Sequence, residues 1–412
     1  MVESVKLVEN ALLKKKIKQY KIIDVTTKCL WYKKSFKDVS YDSSILNKVF
    51  VVFKNDNKIS RFGMSPIENK DKIDLLIKNS LENSYYDEQP WYEEKLSIEK
   101  SNCNEKQTTF CNFDSSKLFY LLKNKFNFIE KSTNFEINIS YNFNISRQCL
   151  LTNNFYCEQF YRESDLLCME NVKFQKRLAL KNLYLNDSFS ERIINELNKD
   201  DLIWDNKNIF NNKLIIIKKE ALANILNEFI VAFYANLLYS GQSFINKEQL
   251  GKTLYKKDFS IISLPFEDIY FDLDGNLIKE KTIILNGRVV NFLGNRIYSQ
   301  YLNVNSFGNT DLENPTIISH QRLKFNLNDK YPKKISCLKN VLTIDKFENI
   351  ICDFENQSFS GLAICENNSQ KFYENFNIDF SDFFNNIFSL NEKSQWIDNV
   401  YCTDIILAIE RE

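Results

Sequence analysis

The one histidine of this 412-residue chain, His320, decides which chemistries its side chains can perform. A zinc hydrolase built on H-E-x-x-H needs two imidazoles on one helical face, and one histidine cannot supply both. A Ser-His-Asp or Cys-His site needs a single imidazole, so His320 could stand between a nucleophile and a carboxylate. Its surroundings argue against that. Ile317-Ile318-Ser319-His320-Gln321-Arg322-Leu323-Lys324-Phe325 reads as an extended segment, and no G-x-S-x-G elbow occurs in the chain. A hydrogen-bonded structural or surface histidine is the expectation, and no residue is assigned a catalytic role.

The other candidate groups fare no better. The cysteines, at positions 29, 103, 111, 149, 157, 168, 337, 352, 365 and 402, contain no C-x-x-C pair and are expected to be free thiols, with Cys149, Cys157 and Cys168 acting as small hydrophobes in strand-like runs. Phe271-Asp272-Leu273-Asp274-Gly275-Asn276 starts like a calcium loop. Counted from Asp272, however, the sixth and twelfth positions are Leu277 and Ile283 where an EF-hand needs glycine and glutamate, so a tight acidic turn is expected instead. Ser240-Gly241-Gln242-Ser243-Phe244 lacks the Walker lysine pattern and reads as a helix-terminating glycine. No G-x-G-x-x-G and no defined carboxylate pair appears, so no cofactor-binding or metal-ligating residue is assigned.

What must position these residues is a compact chain. It is 44% hydrophobic and 14% aromatic with only 8 Gly and 5 Pro, the opposite of a linker-rich or disordered composition. Lys plus Arg and Asp plus Glu are both 54, so no global field steers the protein to nucleic acid or to an anionic membrane. The stretch Met1 to Leu13 mixes charges with apolar residues and lacks a signal-peptide core, and no uncharged apolar run approaches membrane-spanning length. A soluble, cytoplasmic protein is expected.

Periodicity outlines an α+β protein of two domains, residues 1–205 and 206–412. The first is a sandwich-like module. A helix over 5–18 precedes a strand at 21–31, a hairpin at 48–53 and 58–63, helices over 71–84 and 115–131, and a four-strand meander (135–143, 147–152, 155–164, 166–174) with Asn153-Asn154 as its central turn. A short helix over 188–197 closes this half. The second domain opens with a strand at 213–217 and one long helix, Lys219 to Tyr239. Its wide apolar stripe (Leu222, Ile225, Leu226, Phe229, Ile230, Phe233, Leu237, Leu238) predicts burial on several sides. Short strands then dominate to the end, with Asn286-Gly287 marking a hairpin and 380–388 a late helix.

The order of these pieces is more specific than any one of them. The long helix, Ser240-Gly241-Gln242-Ser243-Phe244, Leu250-Gly251-Lys252, Pro265-Phe266-Glu267-Asp268, Phe271-Asp272-Leu273-Asp274-Gly275, Asn286-Gly287-Arg288-Val289 and Gly308-Asn309-Thr310 together resemble the TldD/PmbA family of metalloprotease-related proteins, in its PmbA (TldE) branch. The first half is similar less sharply, through its helix, strand, hairpin ending in Arg61-Phe62-Gly63, and second helix. Departures include Asp274 for the usual glutamate and Thr310 for an expected alanine.

The resemblance implies a two-part enzyme. One subunit carries H-E-x-x-x-H on the long helix plus a later cysteine, binds zinc and cleaves unstructured peptides, while the PmbA type lacks the motif and pairs with it. Here the helix reads Ala221-Leu222-Ala223-Asn224-Ile225-Leu226-Asn227-Glu228-Phe229-Ile230-Val231-Ala232, without histidine. Zinc is therefore expected only in a TldD-like partner subunit, and Glu228 is expected to be a solvated or interface residue. The implied role is a non-catalytic subunit acting on unfolded or extended peptides, in peptide proteolysis or maturation. Two alternatives remain open: a standalone peptide-binding protein, and a peptidase with a non-zinc site such as a cysteine with His320.

Overall fold

The computed structural model describes residues 3–35, 38–65, 70–86, 104–133, 137–152, 156–170, 177–181, 189–197, 203–204, 214–255, 258–267, 269–304, 308–312, 314, 317–332, 341–367, 370–390 and 393–408. The chain forms two compact units. One comprises Met1–Lys199 with Glu267–Gly275, and the other Asp200–Phe266 with Asn276–Glu412. The contiguous split expected at 205/206 differs in placing Glu267–Gly275 with the second half.

The first unit is built on long antiparallel strands. Its elements are α1 (Glu3–Lys14), β1 (Gln19–Lys34), β2 (Val39–Asn55), β3 (Lys58–Met64), α2 (Lys70–Glu82), β4 (Tyr85–Tyr86), α3 (Asn104–Cys111), α4 (Ser115–Thr133), β5 (Ile137–Thr152), β6 (Tyr156–Glu170), β7 (Arg177–Lys181) and α5 (Phe189–Leu197). The strands form one sheet in the order β4-β3-β2-β1-β5-β6-β7. The meander expected as four strands is two, because pairing runs unbroken from Ile137↔Glu170 to Leu151↔Tyr156 with no turn inside either strand. Its Asn153-Asn154 turn lies outside the described residues. The β2–β3 hairpin turns at Asp56-Asn57, with Asp56 in the left-handed region (φ 54°) that a two-residue hairpin requires.

Alternation along β1 divides the packing. Tyr20 and Ile22 join a core with Val5, Val8 and Leu12 of α1 and Ile73 and Ile77 of α2. Further along the same face, Leu30 and Tyr32 meet Leu122, Phe126 and Ile129 of α4 and Phe189 of α5. The opposite face carries Ile23, Val25, Leu150 and Cys157, covered by Phe271 and Leu273. The Phe271–Gly275 turn is thus buried in the first unit. Gly275 takes φ 66°, and a Cβ there would crowd Lys21 and Leu150. Asp274 pairs with Arg61 at 3.4 Å. This is a tight acidic turn, as the missing EF-hand positions suggested.

The second unit contains β8 (Ile203–Trp204), β9 (Leu214–Ile217), α6 (Lys219–Phe229), α7 (Ala235–Ser240), β10 (Phe259–Leu264), β11 (Lys281–Leu285), β12 (Arg288–Val289), α8 (Arg296–Tyr301), β13 (Arg322–Leu327), β14 (Leu342–Asp353), β15 (Ser358–Asn367), β16 (Gln370–Asp379), α9 (Phe380–Asn385), β17 (Ile387–Ser389), β18 (Gln395–Ile397), β19 (Val400–Cys402) and β20 (Ile405–Ala408). They make two sheets, β12-β11-β10-β13-β19-β18 and β17-β20-β9-β14-β15-β16-β8. Helix α6 contacts both, through β14 on one and β18 and β19 on the other. Its buried Leu222, Ile225, Leu226 and Phe229 lie in the single large core of this unit, where Phe229 packs against Phe233, Phe380 and Phe384.

The α+β class and the buried helix agree with the sequence, but the helix is not continuous. After Phe229 the chain tightens into a 3₁₀ turn, Ile230–Phe233, and Tyr234 then leaves helical geometry (φ −76°, ψ 124°) before α7 begins. The interruption is stabilised by pairing outside the helix. Leu293 N donates to Phe233 O at 2.9 Å, Ala235 N donates to Leu293 O at 2.8 Å, and Ser243 Oγ donates to Ala232 O at 2.7 Å. Periodicity is blind to such partners. The sequence reading also missed the short helices α3 and α8.

Candidate functional site

Of the residues singled out at the start, His320 lies against α6, where it meets Asn227 and Asn399. Helix α6 begins at a backbone N–H cap supplied from far along the chain: Lys219 N donates to Asp404 Oδ1 at 2.8 Å, and Lys218 Nζ lies 3.0 Å from Asp404 Oδ2. Two turns on, Asn227 reaches the outer side of the helix. His320 is brought opposite by the Gly308-Asn309-Thr310 segment. Gly308 adopts φ 81° where a Cβ would collide with the Leu277 carbonyl oxygen, Asn309 Oδ1 accepts from Lys281 Nζ at 2.6 Å, and Thr310 bridges Ile318. Asn399 comes from the β18–β19 turn.

These side chains form a hydrogen-bonded relay whose polarity is fixed at one end. The carbonyl of Gln321 can only accept, so the Asn399 amide nitrogen faces it at 3.3 Å. Asn399 Oδ1 then accepts from Asn227 Nδ2 at 3.0 Å, which leaves Asn227 Oδ1 facing His320 Nε2 at 2.9 Å. Asn399 Nδ2 also lies 3.4 Å from Nε2, but the shorter Asn227 Oδ1 contact assigns the imidazole proton to Nε2, and Nδ1 then accepts from the Tyr234 hydroxyl at 2.7 Å. That hydroxyl in turn accepts from the His320 backbone N–H at 3.3 Å. Burial pushes the imidazole pKa down to about 4 and raises that of Tyr234, so both are neutral at physiological pH.

The relay is satisfied at both ring nitrogens, and neither bonds to a thiol. His320 is thus the hydrogen-bonded histidine expected from its lone, unflanked setting. Cys402 sits elsewhere: its Sγ donates to Lys219 O at 3.5 Å, eight residues and about 12 Å along the helix axis from Asn227. Burial pushes the Cys402 thiol up to about 12, and those of Cys352 and Cys365 are raised as well. Such thiols are poor nucleophiles at neutral pH. The described cysteines are free, as expected.

The donor set does not suit zinc. Within Asn227-Glu228-Phe229-Ile230-Val231-Ala232, the positions an H-E-x-x-x-H motif would fill with imidazoles hold a carboxamide engaged on both sides and a buried methyl group. Zinc requires neutral imidazole, thiolate or carboxylate donors. Among the described residues no three His, Cys, Asp or Glu side chains converge as metal ligands would. Glu228 is exposed.

The remaining motif residues act on the backbone. Gly241 ends α7 in the left-handed conformation (φ 70°), and Asn286-Gly287, with φ 52° and 72°, turns β11 into β12. Tyr234 and Asn399, two of the four relay members, carried no motif signal. Only their position beside His320 in the folded chain distinguishes them.

A second unit of two sheets enclosing an interrupted helix, preceded by a helix-covered antiparallel sheet, defines a metallopeptidase-related class of α+β protein: residues 212–407 match the PmbA/TldA metallopeptidase C-terminal domain. Residues 212–407 thus carry the C-terminal domain of the PmbA/TldA metallopeptidase family. Its fold is similar to that of TldE from Thermococcus kodakarensis, with a TM-score of 0.72, 11% identity and 98% of each chain covered. It is also similar to two proteins named as candidate modulators of DNA gyrase. The one from Thermotoga maritima has a TM-score of 0.70 and 15% identity, with 98% of each chain covered. The one from Bacteroides thetaiotaomicron has a TM-score of 0.70 and 12% identity, covering 99% of this chain and 98% of its own. No curated protein matches the sequence at a significant level. No helix among the described residues is long and apolar enough to cross a membrane.

Proposed function

We propose that this chain is the metal-free, PmbA/TldE-like partner subunit of a TldD-type zinc metallopeptidase that acts on unfolded or extended peptides. The observation that carries this reading is that the helix holds no imidazole and presents a fully engaged carboxamide instead. Here Asn227 spends both ends of its carboxamide on His320 and Asn399. A group held in that way fixes the helix face rather than activating water.

An extended peptide has a place to pair in the first unit. Among the described residues, β3 meets β2 at Val49–Asn55 and no strand pairs with Val39–Lys48 on the side away from β1. Val39, Tyr41, Ile45 and Leu46 are exposed there. Main-chain pairing to such an edge binds a peptide irrespective of its sequence.

Affinity capture of the tagged chain from its native cells tests the proposal. The expected result is recovery of an H-E-x-x-x-H subunit, with zinc in the complex and no cleavage of casein-derived peptides by the isolated chain. One equivalent of zinc in the isolated chain, or cleavage without a partner, overturns it. Capture that yields no H-E-x-x-x-H protein favours a standalone peptide-binding protein instead.

A further inference from the structure

The unpaired stretch of β2 is bounded at both ends. It starts at Val39, where the β1–β2 hairpin closes, and stops at Lys48, because β3 takes over that side at Val49↔Met64. Proteins ordinarily blunt such an edge with proline, a bulge or repeated charges, since it otherwise pairs with another strand. None of these devices is present. Val39-Ser40-Tyr41-Asp42-Ser43-Ser44-Ile45-Leu46-Asn47-Lys48 has no proline, pairs with β1 without a register shift, and carries a single acid and a single, terminal lysine. Tyr41 and Ile45 lie on the sheet face that bears the helices, and are 43% and 61% exposed. Tyr41 is held there by stacking on Phe119 of α4, with ring centroids 4.3 Å apart.

The spacing of these residues matches the strand to its own copy. In an antiparallel pair, residues directly opposite each other are of the same hydrogen-bonding kind, so a strand pairs with itself only where one residue faces its own counterpart on the two-fold axis. With Ser43 on the axis, Tyr41 opposes Ile45, Ser40 opposes Leu46 and Asp38 opposes Lys48, each pair occurring twice. The first is an aromatic and β-branched pair on the helix side, and the last joins opposite charges on the other face. This register also uses the whole edge, with the hairpin end of one copy stopping where β3 of the other begins. Its neighbours are worse. Asp42 on the axis meets its own charge, Ser44 on the axis sets Asp42 against Leu46, and Ile45 on the axis drives Val39–Tyr41 into the place that β3 holds.

We propose that β2 pairs antiparallel with β2 of a second copy of this chain, with Ser43 on the two-fold axis, so that the two sheets become one through about ten main-chain hydrogen bonds. A second copy uses the same main-chain groups as an extended peptide would, so each excludes the other. The pairing rests on the strand edge alone and does not depend on the peptidase reading.

Sedimentation velocity and site-directed cross-linking of the full chain test it. The unaltered chain is expected to sediment as a dimer at about 100 µM. Ile45→Lys, at an exposed position, sets a lysine against Tyr41 twice and is expected to raise the dimer dissociation constant at least about tenfold. In a Cys111→Ser background, which removes an exposed thiol, Ser43→Cys is expected to give a disulfide-linked dimer under mild oxidation, because the axis brings the two α-carbons to about 5 Å. Ser44→Cys in the same background leaves them more than about 7 Å apart and is expected not to link. A monomer at that concentration, a folded Ile45→Lys chain that dimerises undiminished, or Ser43→Cys linking no better than Ser44→Cys each overturns the proposal. Thermal midpoints report whether the variants fold, and sedimentation of the unaltered chain decides even if one does not.

Discussion

Replacing His320 with glutamine should change how stability responds to pH, and the single imidazole makes the effect separable. In the folded chain the pKa of His320 is pushed down to about 4, against 6.5 when unfolded. As pH falls below 6.5, the unfolded chain takes up a proton that the folded chain refuses. Stability is therefore unaffected by this group above 6.5, declines between 6.5 and about 4, and levels off below, where both states are protonated. At about 1.4 kcal/mol per pH unit the whole displacement is worth about 3 kcal/mol, an upper bound because His320 as a residue is only partly buried. Between pH 7 and pH 5 the wild-type chain should lose about 2 kcal/mol more than His320→Gln in urea unfolding. Carboxylates titrate in both proteins and cancel in the difference. At pH 7 the variant should itself be less stable by about 1–3 kcal/mol, because the Tyr234 hydroxyl loses its acceptor. Proton NMR offers a direct check, since one histidine gives one imidazole Hε1 resonance. A titration midpoint near 6.5 in the folded protein, or equal losses of stability for the two chains, would refute the buried, neutral relay.

Two glycines separate strain from collision: Gly241→Ala (φ 70°, open space) should cost about 1 kcal/mol, whereas Gly308→Ala (φ 81°, against the Leu277 carbonyl) should cost more than about 2 kcal/mol by chemical denaturation. Asp404→Ala, which uncaps α6 and removes the Lys218 ion pair, should lower stability by about 1–2 kcal/mol, and Asp404→Asn by less because it retains an acceptor for Lys219 N. In a thiol-reactivity assay on the native protein at pH 8, exposed Cys111 should react within the fast phase, while Cys365 and Cys402 should wait for unfolding. Equal rates for all would contradict their burial.

Several features were legible in the residues because their causes are local. Asn286-Gly287 must turn, since both adopt positive φ that few residues tolerate, and the stripe from Leu222 to Phe233 must be buried, since 3.6-residue spacing gathers it on one side of a helix. Two imidazoles cannot come from one histidine. That count alone removed the two-histidine zinc sites, and it agrees with a helix that shows Asn227 and Ala232 at the motif spacing.

Tertiary structure decided what depends on partners distant in sequence. The break at Tyr234 is invisible to periodicity because Leu293, nearly sixty residues later, supplies the hydrogen bonds that the helix gives up. The same break turns the Tyr234 hydroxyl toward His320, and the Asp398-Asn399 turn closes the relay from the far end of the chain. The tautomer of His320 is set by a carbonyl at Gln321 acting through two asparagines, and its low pKa by burial that only packing creates. In the first unit, alternation identified strands but could not tell that one row, Asp24–Cys149–Glu158, would fall in a gap between two groups of helices. A residue's type fixes which bonds it can make. Which of them it does make is settled when the fold brings the other half within reach.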